Sequence, residues 1–197
     1  MRITVFDTET TGLSHNKHEI IELAYISYDF GDCGDRSVHA KFESKINPQN
    51  IHLADPGALA VNGYQENDWK GAPDFKEIHE NASKAFEESD LLLGQNLIFD
   101  LRFFREMCKR SNLPIPKFPP YLDSKAVADR LVKEGWLERS GMDYLCEHYK
   151  VESNGRAHTA LVDCERTIKV WDKLIHDTGD EYEIYTIEKP YSRRRKK

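Results

Sequence analysis

Asp7 and Glu9 stand one residue apart at the end of a β-like run, Ile3-Thr4-Val5-Phe6, shortly before a turn at Gly12. Alternate side chains of a strand share a face, so this spacing aims both carboxylates the same way. Two acids so placed repel each other, and oxygen ligands of this kind suit a hard divalent cation such as Mg²⁺ or Mn²⁺. A solvated strand-to-loop junction would look similar, so the weight falls on two further carboxylates. Leu161 to Ile175 reads as an amphipathic helix, with Val170, Leu174, Thr167, Trp171, Cys164 and Ile168 in one arc and Glu165, Arg166, Lys169, Asp172 and Lys173 in the other. Asp163 falls inside the apolar arc. Asp100 repeats the anomaly in the segment from Asp100 to Ser111, between Met107 and Phe104, while Arg102, Arg105, Glu106, Lys109 and Arg110 face outward. An ionised carboxylate taken out of water without a partner costs several kcal/mol, and neither apolar arc carries a basic residue. A salt bridge from another element competes as an explanation for either acid alone. For both, together with Asp7 and Glu9, cation binding is the simpler account.

His158 lies five residues before Asp163. Five residues turn an α-helix through about 500°, so one unbroken helix cannot aim the two at a common point. The turn-rich Ser153-Asn154-Gly155-Arg156 puts His158 on a loop entering the helix, from which it can reach toward Asp163. Histidine is the side-chain type whose free form changes charge near working pH, so His158 is a candidate general base.

These side chains need a framework to hold them. The pattern predicts strands near 2–8, 19–30, 36–46, 90–95 and 121–123, and helices near 55–62, 74–88, 99–112, 124–134, 140–149 and 159–176. Three strands followed by alternating helices and strands make an α/β architecture with a mixed sheet. Pro114, Pro116, Pro119 and Pro120 mark a rigid connector before the last strand. A chain of 197 residues suffices for one well-buried core and is short for two domains. Four cysteines without ligand-like spacing, and no secretory or long apolar segment, suggest reduced thiols in a cytoplasm and no membrane partner.

Phe6-Asp-Thr-Glu-Thr-Thr-Gly-Leu13, Asn96-Leu-Ile-Phe-Asp100 and His158-x-x-x-x-Asp163 resemble, in order and spacing, the three motifs of the DEDDh, or DnaQ-like, 3′→5′ exonucleases. That group includes the proofreading epsilon subunit of bacterial replicative DNA polymerase. Glu19-Ile-Ile-Glu-Leu23, Ala60-Val-Asn-Gly63, Asp123-Ser-Lys-Ala-Val-Ala128 and Met142-Asp-Tyr-Leu-Cys146 follow the same order, so the likeness runs through roughly residues 1 to 176. It implies a ribonuclease H-like fold, a mixed five-stranded sheet with helices on both faces, an exonuclease domain over residues 1–178 and a tail over 179–197. It implies two Mg²⁺ or Mn²⁺ ions held by Asp7, Glu9, Asp100 and Asp163, with His158 taking the proton of the attacking water. Thr10, Leu13, Asn62, Asn96 and Phe99 match positions near the terminal nucleotide. The implied partners are single-stranded or 3′-end nucleic acid and a polymerase or another replication or repair protein; the oligomeric state stays open. Asn62 and Gln95 stand where the proofreading subunit has histidines, which leaves the preference between DNA and RNA open.

Two other classes compete. A haloacid-dehalogenase-type phosphatase also starts from an acid pair after an apolar strand, but Glu9 and the His158/Asp163 motif count against it. A catalytically silent nucleic-acid-binding module would not need all five chemical residues. The formal net charge of −6 is unusual for a protein that coats a nucleic acid, and it suits one that grips only an end. Arg193 to Lys197 carry +5, which leaves −11 on the remainder. This tail reads either as a solvated end or as a phosphate contact.

Overall fold

β1 (Arg2–Thr10) takes the middle of a sheet in which three antiparallel strands meet two parallel ones. In the computed structural model, residues 1–30, 35–153 and 155–178 are described; the basic tail, Cys33 and Asn154 lie outside them. The chain continues through β2 (Ile20–Phe30), β3 (Arg36–Lys45), a 3₁₀ turn at Ile51–Leu53, α1 (Pro56–Asn62), α2 (Glu66–Trp69) and α3 (Phe75–Glu87). Then come β4 (Leu91–Gly94), α4 (Leu97–Arg110), β5 (Tyr121–Asp123), α5 (Ser124–Lys133), α6 (Met142–Tyr149) and α7 (Ala160–Thr178). The strand order is β3-β2-β1-β4-β5. β1 runs antiparallel to β2, and β2 to β3, whereas β1–β4 and β4–β5 are parallel.

The two-residue period of the strands sorts the apolar side chains into two cores. Ile3, Val5, Ala24, Ile26, Leu91 and Leu93 pack against α5, α6 and α7 through residues such as Leu131, Leu145 and Trp171. Phe6, Leu23, Tyr25 and Leu92 pack on the other face against α3 and α4, where Phe86 and Phe104 meet the Phe6 ring edge-on at centroid distances of 4.9 and 6.1 Å. Helices therefore cover both faces, as the sequence implied.

Local chemistry fixes where these elements start and stop. The Asp55 side chain accepts the Gly57 N–H at 2.8 Å to open α1, with Pro56 at the first helical position. Gly63, at φ +71°, closes that helix. A capping box between Asp74 and Glu77 opens α3, and Asp123 opens α5 by accepting the Lys125 N–H at 3.0 Å. Gly12 is required on two counts: its φ is +155°, and a Cβ there would meet the His18 ring at 2.3 Å. The 3₁₀ turn and α2 were not legible in the sequence because three and four residues are too few to show a period. α2 is held from outside its own span, by Trp69 Nε1 donating to the Ile21 carbonyl at 2.7 Å.

Candidate active site

Val5 faces the α7 layer, so the same alternation carries Asp7 and Glu9 toward that layer at the open end of β1. Asp7 sits opposite Ala24 of β2 and Glu9 opposite Glu22, and the register shifts between Glu9 and Thr10. Such an irregularity bends a strand end and re-aims its side chains. Asp100, in the first turn of α4, is only 4 % exposed. Its Oδ1 accepts the Thr8 N–H at 3.0 Å and the Thr8 hydroxyl at 2.6 Å, which ties α4 to β1 beside Asp7.

The opposite wall is the start of α7. Glu22 Oε1 accepts the Ala160 N–H at 2.8 Å, satisfying one of the free amides at that helix end. Asp163 Oδ2 accepts the His158 N–H at 3.1 Å, and His158 adopts the left-handed conformation at φ +63°. A non-glycine residue in that region is uncommon, and strain of this sort concentrates at functional sites. His158 thus lies on the entering loop, as its spacing from Asp163 required. Glu9, His158 and Asp163 each bring a ligand atom within 4.8 Å of the others, which makes them a cluster able to hold a metal ion among the described residues.

One expectation needs correction. The helical wheel put Arg166 on the solvent arc and left Asp163 without a cation. Arg166 is in fact buried at 5 % exposure, and its Nη1 donates to Asp163 Oδ1 at 2.8 Å. Its Nη2 bonds Asp143 and its Nε donates to Cys146 Sγ at 3.3 Å, both on α6. The cause is α6, which covers the flank of α7 that an isolated wheel assigns to water.

Negative charge crowds the strand side. Burial holds the Asp7 carboxyl well above its usual range, and Asp100, Asp163, Glu9 and Glu22 push it further. Burial, Asp163, Glu22 and Asp100 raise Glu9 to about 8, against a small opposing effect of Arg156. Burial raises Asp100 to about 7 despite the two bonds from Thr8. Groups so crowded either stay protonated or bind a cation. All four acids offer oxygen and His158 offers an imidazole, a donor set that fits a hard divalent ion.

The remaining sequence candidates lie on β1 and its turn, on α1 and at the start of α4. Thr10 is buried, with its hydroxyl bonded to the Gly12 carbonyl at 2.8 Å. Leu13 is 80 % exposed on the turn. Phe99 is half-buried on α4, with its ring 4.7 Å from that of Phe103. Asn96 precedes α4 in the left-handed conformation, its N–H given to Asp123 Oδ1 at 2.8 Å. Asn62 is buried, and its amide donates to the Thr10 carbonyl at 3.0 Å. Sequence reasoning assigned no role to Thr8, Glu22 or Arg166. The signal for Arg166 was present, since three residues separate it from Asp163 on one helix face.

A family model described as Exonuclease (RNase T) matches residues 4–171, from β1 into α7. Ribonuclease T of Shewanella frigidimarina is 28% identical over 191 residues, covering 87% of this chain and 81% of that protein. DNA polymerase III subunit epsilon of Buchnera aphidicola is 27% identical over 193 residues, covering 93% of this chain and 78% of that protein. The nuclease domain of 3′hExo, a DEDDh family member solved bound to rAMP, shares the fold with a TM-score of 0.71 at 16% identity, over 89% of this chain and 92% of that one. The phosphatase reading falls with this match, and no helix among the described residues is long and apolar enough to cross a membrane. With all three motifs inside the matched span, the chain belongs to the RNase T family of exonucleases, enzymes that use divalent metal ions.

Proposed function

We propose that the chain is a 3′→5′ exonuclease that releases nucleoside 5′-monophosphates from the 3′ ends of DNA, over a domain comprising residues 1–178. Asp7, Glu9, Asp100 and Asp163 would hold two Mg²⁺ or Mn²⁺ ions. The observation that carries this is the convergence of Glu9, His158 and Asp163 within 4.8 Å, beside the crowded Asp7 and Asp100. When bound, paired divalent cations stabilise the charge on both oxygens of an in-line displacement at phosphorus. His158 takes the proton of the attacking water, whose oxygen joins the phosphorus as the bond to the penultimate 3′-oxygen breaks; that oxygen leaves with the bonding electron pair and takes its proton from solvent water. The bond from the His158 N–H to Asp163 keeps the base beside the carboxylate cluster through this step. Leu13 and the Phe99 ring supply apolar contact to the last nucleotide without reading its sequence, with Thr10, Asn62 and Asn96 shaping the walls around it.

A second reading, an RNA-processing or short-oligonucleotide 3′→5′ exoribonuclease on the same site, is favoured by the similarity to ribonuclease T. The similarity to an epsilon subunit favours DNA and a polymerase or repair protein as partner. End-labelled single-stranded DNA, single-stranded RNA, duplexes with matched or mismatched 3′ ends, and oligomers of about two to five nucleotides separate the two. Faster release from DNA supports the first reading. Preference for RNA or for the shortest oligomers supports the second, and internal cuts in a circular strand would overturn both.

A further inference from the structure

Arg166 poses a physical puzzle, because a buried cation sits against a carboxylate proposed to bind cations. Charge alone argues against it: a guanidinium 2.8 Å from Asp163 Oδ1 repels any ion that approaches the same group. Stability is also a weak reason for it, since a buried ion pair often contributes no more than apolar residues of the same size. Its bonding is more informative. Nε, Nη1 and Nη2 each have their own partner, namely Cys146 Sγ, Asp163 Oδ1 and Asp143. A planar guanidinium held at three nitrogens has almost no freedom, and it transmits that rigidity to what it touches. The other Asp163 oxygen accepts the His158 N–H. The carboxylate plane is therefore set by a brace on α6 at one end and by the strained His158 loop at the other.

We propose that Arg166 is a positioning residue that aims Asp163, and through it the His158 loop, at the metal-binding side of the cluster. The proposal rests on the two-metal reading given above. Lysine cannot substitute, because a single ammonium reaches Asp163 without engaging Cys146 and Asp143 in one plane. The guanidinium is out of water but its α6 anchor is not: Arg166 has 6 % of its side chain exposed, whereas Asp143 has 70 %. Asp143→Asn is accordingly a mild way to loosen it, and Arg166→Met a severe one.

The test is binding of Mn²⁺ to the substrate-free protein by titration calorimetry, in wild type, R166M, R166K and D143N, with circular dichroism to confirm the fold. Groups that orient metal ligands typically matter by 10–100-fold in affinity. R166M and R166K should weaken Mn²⁺ binding by about that factor, D143N by a few-fold, and all three should lower kcat more than they raise KM. Two results overturn the proposal: unchanged affinity, which leaves Arg166 a structural residue, and tighter binding, which makes it only a repelling charge. If R166M and R166K do not fold, wild-type affinity in D143N overturns it alone. D163N separates this from the parent reading: undiminished turnover there removes the two-metal assignment itself, whereas loss in D163N with normal metal binding in R166M removes only the role of Arg166.

Discussion

The two walls of the site hold the same kind of side chain in opposite electrostatic conditions. On the wall built by β1 and α4, Asp7, Glu9 and Asp100 crowd together, and the bonds given to Asp100 come from the uncharged Thr8. On the wall built by α7 and its entering loop, Asp163 has a guanidinium on one oxygen and an amide on the other. The first wall is a region of stored repulsion, and the second is balanced before any ion arrives. Identical substitutions should therefore agree in their effect on catalysis and disagree in their effect on stability.

The largest expected effect is on turnover. Asp7→Asn and Asp163→Asn should each lower kcat by about 10³-fold or more, as should EDTA, because ion-mediated stabilisation of this reaction is worth several kcal/mol. Release of labelled mononucleotide measures it. Activity that survives in either variant breaks the comparison at its root, since that wall would then not be part of the chemistry.

Next comes His158→Ala. A lost general base costs about 10²–10⁴ in rate, so kcat should fall by that factor while substrate affinity holds, and the deficit should shrink at high pH where hydroxide is plentiful. Weak binding with normal turnover would move His158 from base to substrate contact.

Stability then sharpens the contrast. In metal-free buffer Asp7→Asn removes repulsion and should raise Tm by roughly 2–8 °C, taking about 1–2 kcal/mol for the relief. Asp163→Asn leaves Arg166 buried beside a weaker partner and should lower Tm instead. Equal shifts in both variants would show that the two walls do not differ.

The smallest effect is on pH dependence. Glu9 at about 8 and Asp100 at about 7 hold protons in the folded protein that an unfolded chain releases near pH 4. Between about pH 4 and 8 the folded state carries the extra protons, so stability falls as pH rises through that window. Saturating Mg²⁺ should flatten the decline, because it offsets the repulsion that raised those carboxyls. A metal-free Tm that climbs from pH 5 to pH 8 would contradict the charge crowding on the strand wall.

The same contrast explains what was legible in the sequence. Asp7 and Glu9 could be read from a two-residue period, and Asp100 and Asp163 from their intrusion into apolar arcs, because those signals are local. Five strands and the longer helices emerged for the same reason. Glu22 could not be read, since its place opposite Glu9 depends on the β1–β2 register. Arg166 was misplaced because a wheel shows one helix and knows nothing of α6. For Glu22 the missing information was a neighbour distant in the chain; for Arg166 the three-residue spacing from Asp163 was local, and only the cover supplied by α6 was distant.

The bond from the Ala160 N–H to Glu22 joins residues 138 apart, and the Cys164 thiol reaches the Val5 carbonyl across 159. During synthesis, at about 5–20 residues per second, Asp7 and Glu9 emerge many seconds before the helix that completes their site. Long-range contacts of this kind also form late, because closing the intervening loop is costly before they reward it. A ribosome-bound or truncated chain that lacks α7 should therefore show no nuclease activity, however well its sheet has formed. Competence to cut is in this sense a report that the chain has been made and folded through α7.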